Sequence, residues 1–296
     1  MRRYVAAVLT AGICWGFMGL FTRTLASMGV GSEGAIFIRC CVAAVLFGIT
    51  MLIKEPSGFK IKPGDVWCFI GSGIISLLFF TFCYFNAISL MSLSAAAILL
   101  YIAPAVVTLL SVFLFKEKLT FIKILSVIIA FIGCSLVSGI AGGIVITPKG
   151  LLFGLGSGVG YALYTIFSRF ALERGYSSNT INFYSCLLAA AGAFIIWRPV
   201  NEIAVMFSSV SRFGFCILTG IITCFVPYFL YTYSLTGLEN GKASVIASIE
   251  PVVASMVGIM VFHEKMDIFS AAGVVLVLSA VVLLNIKPRV KFEKEG

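Results

Sequence analysis

The sequence predicts an all-α polytopic membrane protein with ten transmembrane helices in two inverted five-helix repeats. Three observations carry that prediction. Of the 296 residues, 60% are hydrophobic and 11% charged, whereas soluble domains carry about 25% charged residues. Charge-poor stretches of about 20 residues recur from end to end, each the length of a bilayer-spanning helix. The second half of the chain also echoes the first at an offset of 147 residues.

Spans are expected at roughly 4–26, 33–53, 65–87, 92–115 and 120–140, then 149–170, 178–197, 211–234, 241–262 and 268–286. Their length and the absence of period-2 alternation favour helices over barrel strands. Glu55-Pro56-Ser57-Gly58, Lys62-Pro63-Gly64-Asp65, Thr147-Pro148-Lys149-Gly150 and Arg198-Pro199 are turn chemistry between spans. Gly142-Gly143 reads as a linker. Arg2 and Arg3 before an apolar run read as the start of an uncleaved first helix, given the spans that follow.

With the N-terminus inside, 15 of the 21 Lys and Arg residues fall on the inner side and 6 on the outer. That bias places both termini in the cytoplasm of a multi-pass cell-membrane protein. The net charge of +9 lies in linkers and ends, so it forms no nucleic-acid-binding face. The expected partners are the lipid bilayer, a small solute and protons. Monomer and homodimer both stay open. The nine cysteines show neither a metal-ligand spacing nor a disulfide framework and read as small buried hydrophobes. No nucleophile elbow or acid–base carboxylate pair appears, and no cofactor is expected.

The echo is specific. IAPAVVTLLSVFLFKEKLT (102–120) matches IEPVVASMVGIMVFHEKMD (249–267), pairing Pro104 with Pro251, Phe115 with Phe262 and Glu117-Lys118 with Glu264-Lys265. Tyr84 falls over Tyr231, and WGFMGLFTR (15–23) matches YALYTIFSR (161–169) at an offset of 146. The repeats are read as 1–143 and 144–290, followed by a charged tail at 291–296. An odd number of spans per repeat inverts the second repeat relative to the first.

These residues resemble the EamA-like branch of the drug/metabolite transporter superfamily. The first copy carries Trp15-Gly16, Arg23, Phe37-Ile38-Arg39 and Pro104…Phe115-Lys116-Glu117-Lys118. The second carries Ser168-Arg169 and Pro251…Phe262-His263-Glu264-Lys265. The resemblance implies alternating access around a central cavity lined by spans one, three, four, six, eight and nine, with five and ten peripheral. The second copy departs at Tyr161 and Ala162 and lacks a counterpart of Arg39. The implied function is secondary transport of a small organic solute, with export of amino acids or related metabolites the expected case. Uniport or exchange, a nucleotide-sugar or lipid carrier, and a structural or sensor protein are the alternatives.

Glu250 is the only acidic residue well inside a span. Withdrawal from water favours a neutral carboxyl unless donors surround it. Glu250 therefore reads as a proton-coupling or amine-binding group, or as an internal hydrogen-bond anchor. Pro104 and Pro251 each free the carbonyl four residues back, at Leu100 and Ala247, and so read as hinges or as tolerated kinks. Trp15, Tyr84, Asn86, Tyr101, Tyr161, Tyr164, Tyr231 and Tyr233 form the polar and aromatic inventory of the expected cavity. Arg23, Arg39 and Arg169 read as charges near cavity mouths or as residues snorkelling to headgroups. Gly154 and Gly158 make a small-xxx-small packing face.

The topology is checked by side-specific labelling. In a cysteine-depleted protein, Ile144→Cys should react with impermeant maleimide from outside only. Reaction from the cytoplasm alone would overturn the arrangement.

Overall fold

The computed structural model describes residues 1–91, 93–138, 147–263 and 267–285. Gly142-Gly143, the junction at 143–144, the Glu264-Lys265 pair and the tail at 291–296 lie outside them. Among the described residues every regular element is helical. The apolar helices are α1 (Arg2–Ser27), α2 (Ser32–Lys54), α3 (Pro63–Leu90), α4 (Ala95–Phe115), α5 (Phe121–Val137), α6 (Pro148–Glu173), α7 (Ser178–Trp197), α8 (Val210–Leu235), α9 (Asn240–Phe262) and α10 (Ile268–Leu284). Eight are long and apolar enough to cross a membrane, while α5 and α10 are shorter. A further helix, Val200–Phe207, occupies what reads in sequence as linker. Glu202 on that helix packs against Gly34 at the start of α2.

Local chemistry sets the ends, and it repeats between halves. Gly29 (φ +90°) and Gly175 (φ +85°) terminate α1 and α6 in the left-handed region. Val30 N–H then donates to the Leu25 carbonyl and Tyr176 N–H to that of Ala171. Thr120, Thr147, Ser177 and Ser209 cap helix starts by accepting a backbone N–H.

Five helices are irregular: α1 is interrupted at Phe17, and four others form two matched pairs. α4 breaks at Tyr101–Ile102 and α9 at Ser248–Ile249; Pro104 and Pro251 then open the second segments, Ala103–Phe115 and Glu250–Phe262. Those segments end on left-handed Lys116 (φ 54°) and His263 (φ 55°). α3 and α8 each carry a π-helical stretch, Gly71–Leu78 and Ile221–Phe225, a form concentrated at functional sites.

The packing has the same two-fold character. α2 packs on α7, α4 on α9 and α5 on α10, while α1–α8 answers α6–α3 and α1–α9 answers α6–α4. Gly133 and Gly273 let α5 and α10 touch backbone to backbone: a Cβ at Gly133 would lie 2.9 Å from the Gly273 carbonyl oxygen. The outward faces are apolar, with Phe113 74% and Ile195 73% exposed, as lipid contact requires.

Each broken helix lies against a glycine face of the opposite half. A Cβ at Gly12 on α1 would sit 3.0 Å from the Ala247 carbonyl oxygen. One at Gly158 on α6 would sit 2.5 Å from that of Leu99. The alternate glycines of α6 serve two neighbours. Gly154 and Gly158 face α4; Gly156 faces Cys83 and Gly160 the Phe80 backbone, both on α3. Gly12→Leu or Gly158→Leu should therefore destabilise the detergent-solubilised protein by about 1–3 kcal/mol through overpacking. Gly214→Leu, where a Cβ meets nothing within 4 Å, serves as the control. Equal unfolding midpoints for all three variants would refute the close approach.

Candidate functional site

A small cavity lies at the centre of the bundle, where α4 and α9 break. α1 contributes Trp15, α3 Ser76 and Phe80, and α4 Tyr101 and Pro104. From the second half come Tyr161 and Tyr164 on α6, Tyr228 and Tyr231 on α8, and Ser244 and Glu250 on α9. These are the six helices that the resemblance implies. The space open to the centre of a water molecule is about 20 Å³, room for one or two waters. A solute enters only if the walls move.

The walls are largely aromatic. The ring centroid of Trp15 lies 6.5 Å from Tyr161, 5.3 Å from Tyr228 and 5.4 Å from Tyr231. Helical spacing explains the set, since Tyr161, Tyr164 and Thr165 share one face of α6, and Tyr228 and Tyr231 one face of α8. Hydrogen bonds hold the rings in place. Tyr231 and Thr165 hydroxyls lie 2.8 Å apart, and Tyr164 donates to Asn182 on α7. Glu250 begins the second segment of α9 and keeps part of its surface exposed. Its Oε2 accepts the Tyr161 hydroxyl at 3.2 Å.

The two ends of the bundle differ. At the amino-terminal end, Lys123 is 2% exposed and its Nζ lies 2.6 Å from Glu117 and 3.2 Å from Glu239. Asn240 N–H donates to Glu117 Oε1 at 2.6 Å, tying the start of α9 to the end of α4. Tyr4 and Tyr233 pack 5.3 Å apart there. The other end opens into a vestibule of about 440 Å³, lined by Arg23, Tyr84, Tyr101, Pro251 and Phe262 among others. Tyr101 lines both spaces.

Of the residues singled out in sequence, Trp15, Tyr101, Pro104, Tyr161, Tyr164, Tyr231 and Glu250 meet at the cavity. Tyr84, Pro251 and Arg23 line the vestibule, where the Arg23 guanidinium lies 4.3 Å from the Phe262 ring centroid. Four others lie elsewhere. Asn86 donates to the Phe82 carbonyl of its own helix. Tyr233 stacks on Phe229 and packs on Tyr4. Arg169 donates to the Leu235 carbonyl at 2.7 Å and pairs with Glu173, holding the carbonyl end of α8.

Arg39 stands at no mouth. It lies two turns into α2 and is 7% exposed; Nη1 is 3.2 Å from Met18 Sδ, and Nε has no partner. The side chain is enclosed where α2 packs on α7 and α8.

Tyr228, Phe80, Thr165 and Asn182 escape the sequence reading. Tyr228 alone carries a signal, its spacing of three from Tyr231 next to Pro227. Among the described residues no group of three His, Cys, Asp or Glu could hold a metal.

A transporter of Bacillus subtilis, described as uncharacterized, is 25% identical over 96% of this chain and 89% of its own length. One of Archaeoglobus fulgidus, described in the same way, is 26% identical over 96% of both. The biotin transporter of Escherichia coli is 19% identical over 88% of this chain and 86% of its own length. A crystal structure 18% identical in sequence shares the fold, with a TM-score of 0.77 over 95% of both chains. The model of the EamA-like transporter family matches twice in succession, at residues 2–139 and 148–286. With its matched broken helices and two-fold packing, this chain is a multi-pass membrane protein that belongs to the EamA-like transporter family, within the drug/metabolite transporter superfamily.

Proposed function

We propose that the protein is a proton-driven exporter of amino acids or related small metabolites, working by alternating access. In this reading the ten apolar helices are ten spans of the cell membrane. Residues 1–143 and 144–290 are inverted repeats, 291–296 is a tail, and both termini are cytoplasmic. The observation that carries the reading is a carboxylate-bearing aromatic cavity at two helix breaks, closed at the amino-terminal end and approached through a vestibule at the other. A carrier keeps one barrier closed while the other opens, and matched breaks provide two hinges at equivalent places. Glu250 is the group that changes protonation during the cycle.

Two sets of variants test this in proteoliposomes against a metabolite panel, biotin included, with and without an imposed pH gradient. Pro104→Ala and Pro251→Ala should insert normally and slow transport, because restoring the N–H stiffens the break. Wild-type rates in both would remove the hinges. Glu250→Gln keeps shape and hydrogen bonding but cannot titrate. It should lose gradient-driven flux and retain solute exchange at equal pH. Undiminished gradient-driven flux would return Glu250 to a structural anchor and the protein to an uncoupled uniporter or exchanger.

A further inference from the structure

The broken helices α4 and α9 are joined at one end of the bundle and parted at the other. At the amino-terminal end Ala103–Phe115 packs on Asn240–Ala247. At the offset of 147 residues the counterparts of these segments are Glu250–Phe262 and Leu93–Leu100. Those two face each other across the vestibule, with Ala97 on one wall and Ala254, Ser255 and Gly258 on the other.

One side chain marks the difference. Lys123 and Ser270 are equivalent by the same offset, and they hold the same local position. Lys123 N–H donates to Thr120 Oγ1 at 3.3 Å and Ser270 N–H to Asp267 Oδ1 at 2.6 Å, each at the start of its helix. The buried Lys123 ammonium reaches Glu117 from the end of α4 and Glu239 from the turn before α9. Glu117 also accepts the Asn240 N–H, and Asn240 Nδ2 donates to Ser111 Oγ at 3.1 Å. The start of α9 lies directly on the lysine stem: a Cβ at Gly241 would stand 2.7 Å from Lys123 Cε. Parting α9 from α4 here therefore breaks ion pairs as well as apolar contact. Ser270 lines the vestibule and carries no charge, so the same motion at the other end breaks no pair of its making.

We propose that Lys123, held by Glu117 and Glu239, is a one-sided latch that makes the vestibule-open arrangement the resting state. To open the amino-terminal end, the protein has to separate buried charges, which is costly until water replaces each partner. Water enters from Glu239, whose side chain is 46% exposed while that of Glu117 is 8% exposed. The vestibule closes without a lysine to hold it, and so reopens readily. The latch rests on the alternating-access reading, but it concerns the populations of two states, which are measurable without flux.

The test is spin-label distance measurement on purified, cysteine-depleted full-length protein in nanodiscs. Labels at Lys118→Cys and Lys242→Cys span the amino-terminal end; labels at Ala97→Cys and Ser255→Cys span the vestibule. In the parent, short distances should dominate for the first pair and long distances for the second. Lys123→Ser should raise the ratio of amino-terminal-open to vestibule-open molecules roughly tenfold or more, the scale of one buried charge contact. Glu239→Gln, at the half-exposed carboxylate, should shift the ratio in the same direction by less. Lys123→Arg keeps a cation between the two carboxylates and should stay near the parent. Ser270→Lys reproduces in the second repeat the six-residue spacing from Glu117 to Lys123, here from Glu264 to position 270, and should populate a vestibule-closed state. A brace that only stabilises the fold predicts a lower unfolding midpoint for Lys123→Ser with distances unmoved, and that result would overturn the latch. So would an equal shift in Lys123→Arg. Should Lys123→Ser not fold, Glu239→Gln and Ser270→Lys decide, and unmoved distances in both overturn the latch. If the distances shift as expected but wild-type proteoliposomes pass no solute, the transporter reading fails and the latch stands. Flux with unmoved distances has the reverse meaning.

Discussion

A carbonyl released from a helix inside a bilayer has no water to turn to, and this fold packs protein closely around both places where a helix breaks. The breaks at Tyr101–Ile102 and Ser248–Ile249 leave polar backbone at the middle of the bundle. α1 and α6 pack glycine against the breaks: a Cβ at Gly12 would lie 3.0 Å from the carbonyl of Ala247, which Pro251 frees, and one at Gly158 2.5 Å from the carbonyl of Leu99, which accepts the Ile102 N–H. Protein then replaces both lipid and water around the breaks. That close approach carries Trp15, Tyr161 and Tyr164, on the same two helices, into the space between the breaks. The cavity is thus a consequence of how the carbonyls are covered.

The two halves share a backbone plan and divide the chemistry unequally. Glu250 stands where the first half has Ala103, so the single acid enters from one repeat. Trp15 and Tyr161 both reach the cavity, whereas Tyr231 lines it and Tyr84 lines the vestibule. The ends diverge in the same way. Lys123 is buried between two carboxylates at the closed end, and separating such groups exposes an uncompensated buried charge unless water follows. At the other end Arg23 rests on Phe262 beside open space. Approximate two-fold symmetry therefore describes the scaffold, and its local failures set an ion-paired end against one bordered by open space.

Hydrophobic length, proline position and the repeated motif made the ten apolar helices, their order and the two proline-marked breaks legible in the sequence. Those signals are local: a helix in lipid satisfies its own backbone, so its extent follows from composition alone. Pro104 and Pro251 declare a missing N–H wherever they stand. Seven of the singled-out residues meet at the cavity, drawn from the polar and aromatic inventory of the spans that the family resemblance implies. What remained hidden depends on the azimuth of each helix and on its neighbours. Asn86 and Tyr233 turn away, Tyr228 and Asn182 turn in, and Arg39 lies buried two turns deep, and none of this changes the apolar character of its span. The sequence by itself determined the class, the ten apolar helices and the two proline-marked breaks, though not the helix Val200–Phe207 or the interruption at Phe17. Only the tertiary structure decided which face of each helix meets the cavity and which end carries the buried ion pair, because rotation about a helix axis costs nothing until another helix packs against it.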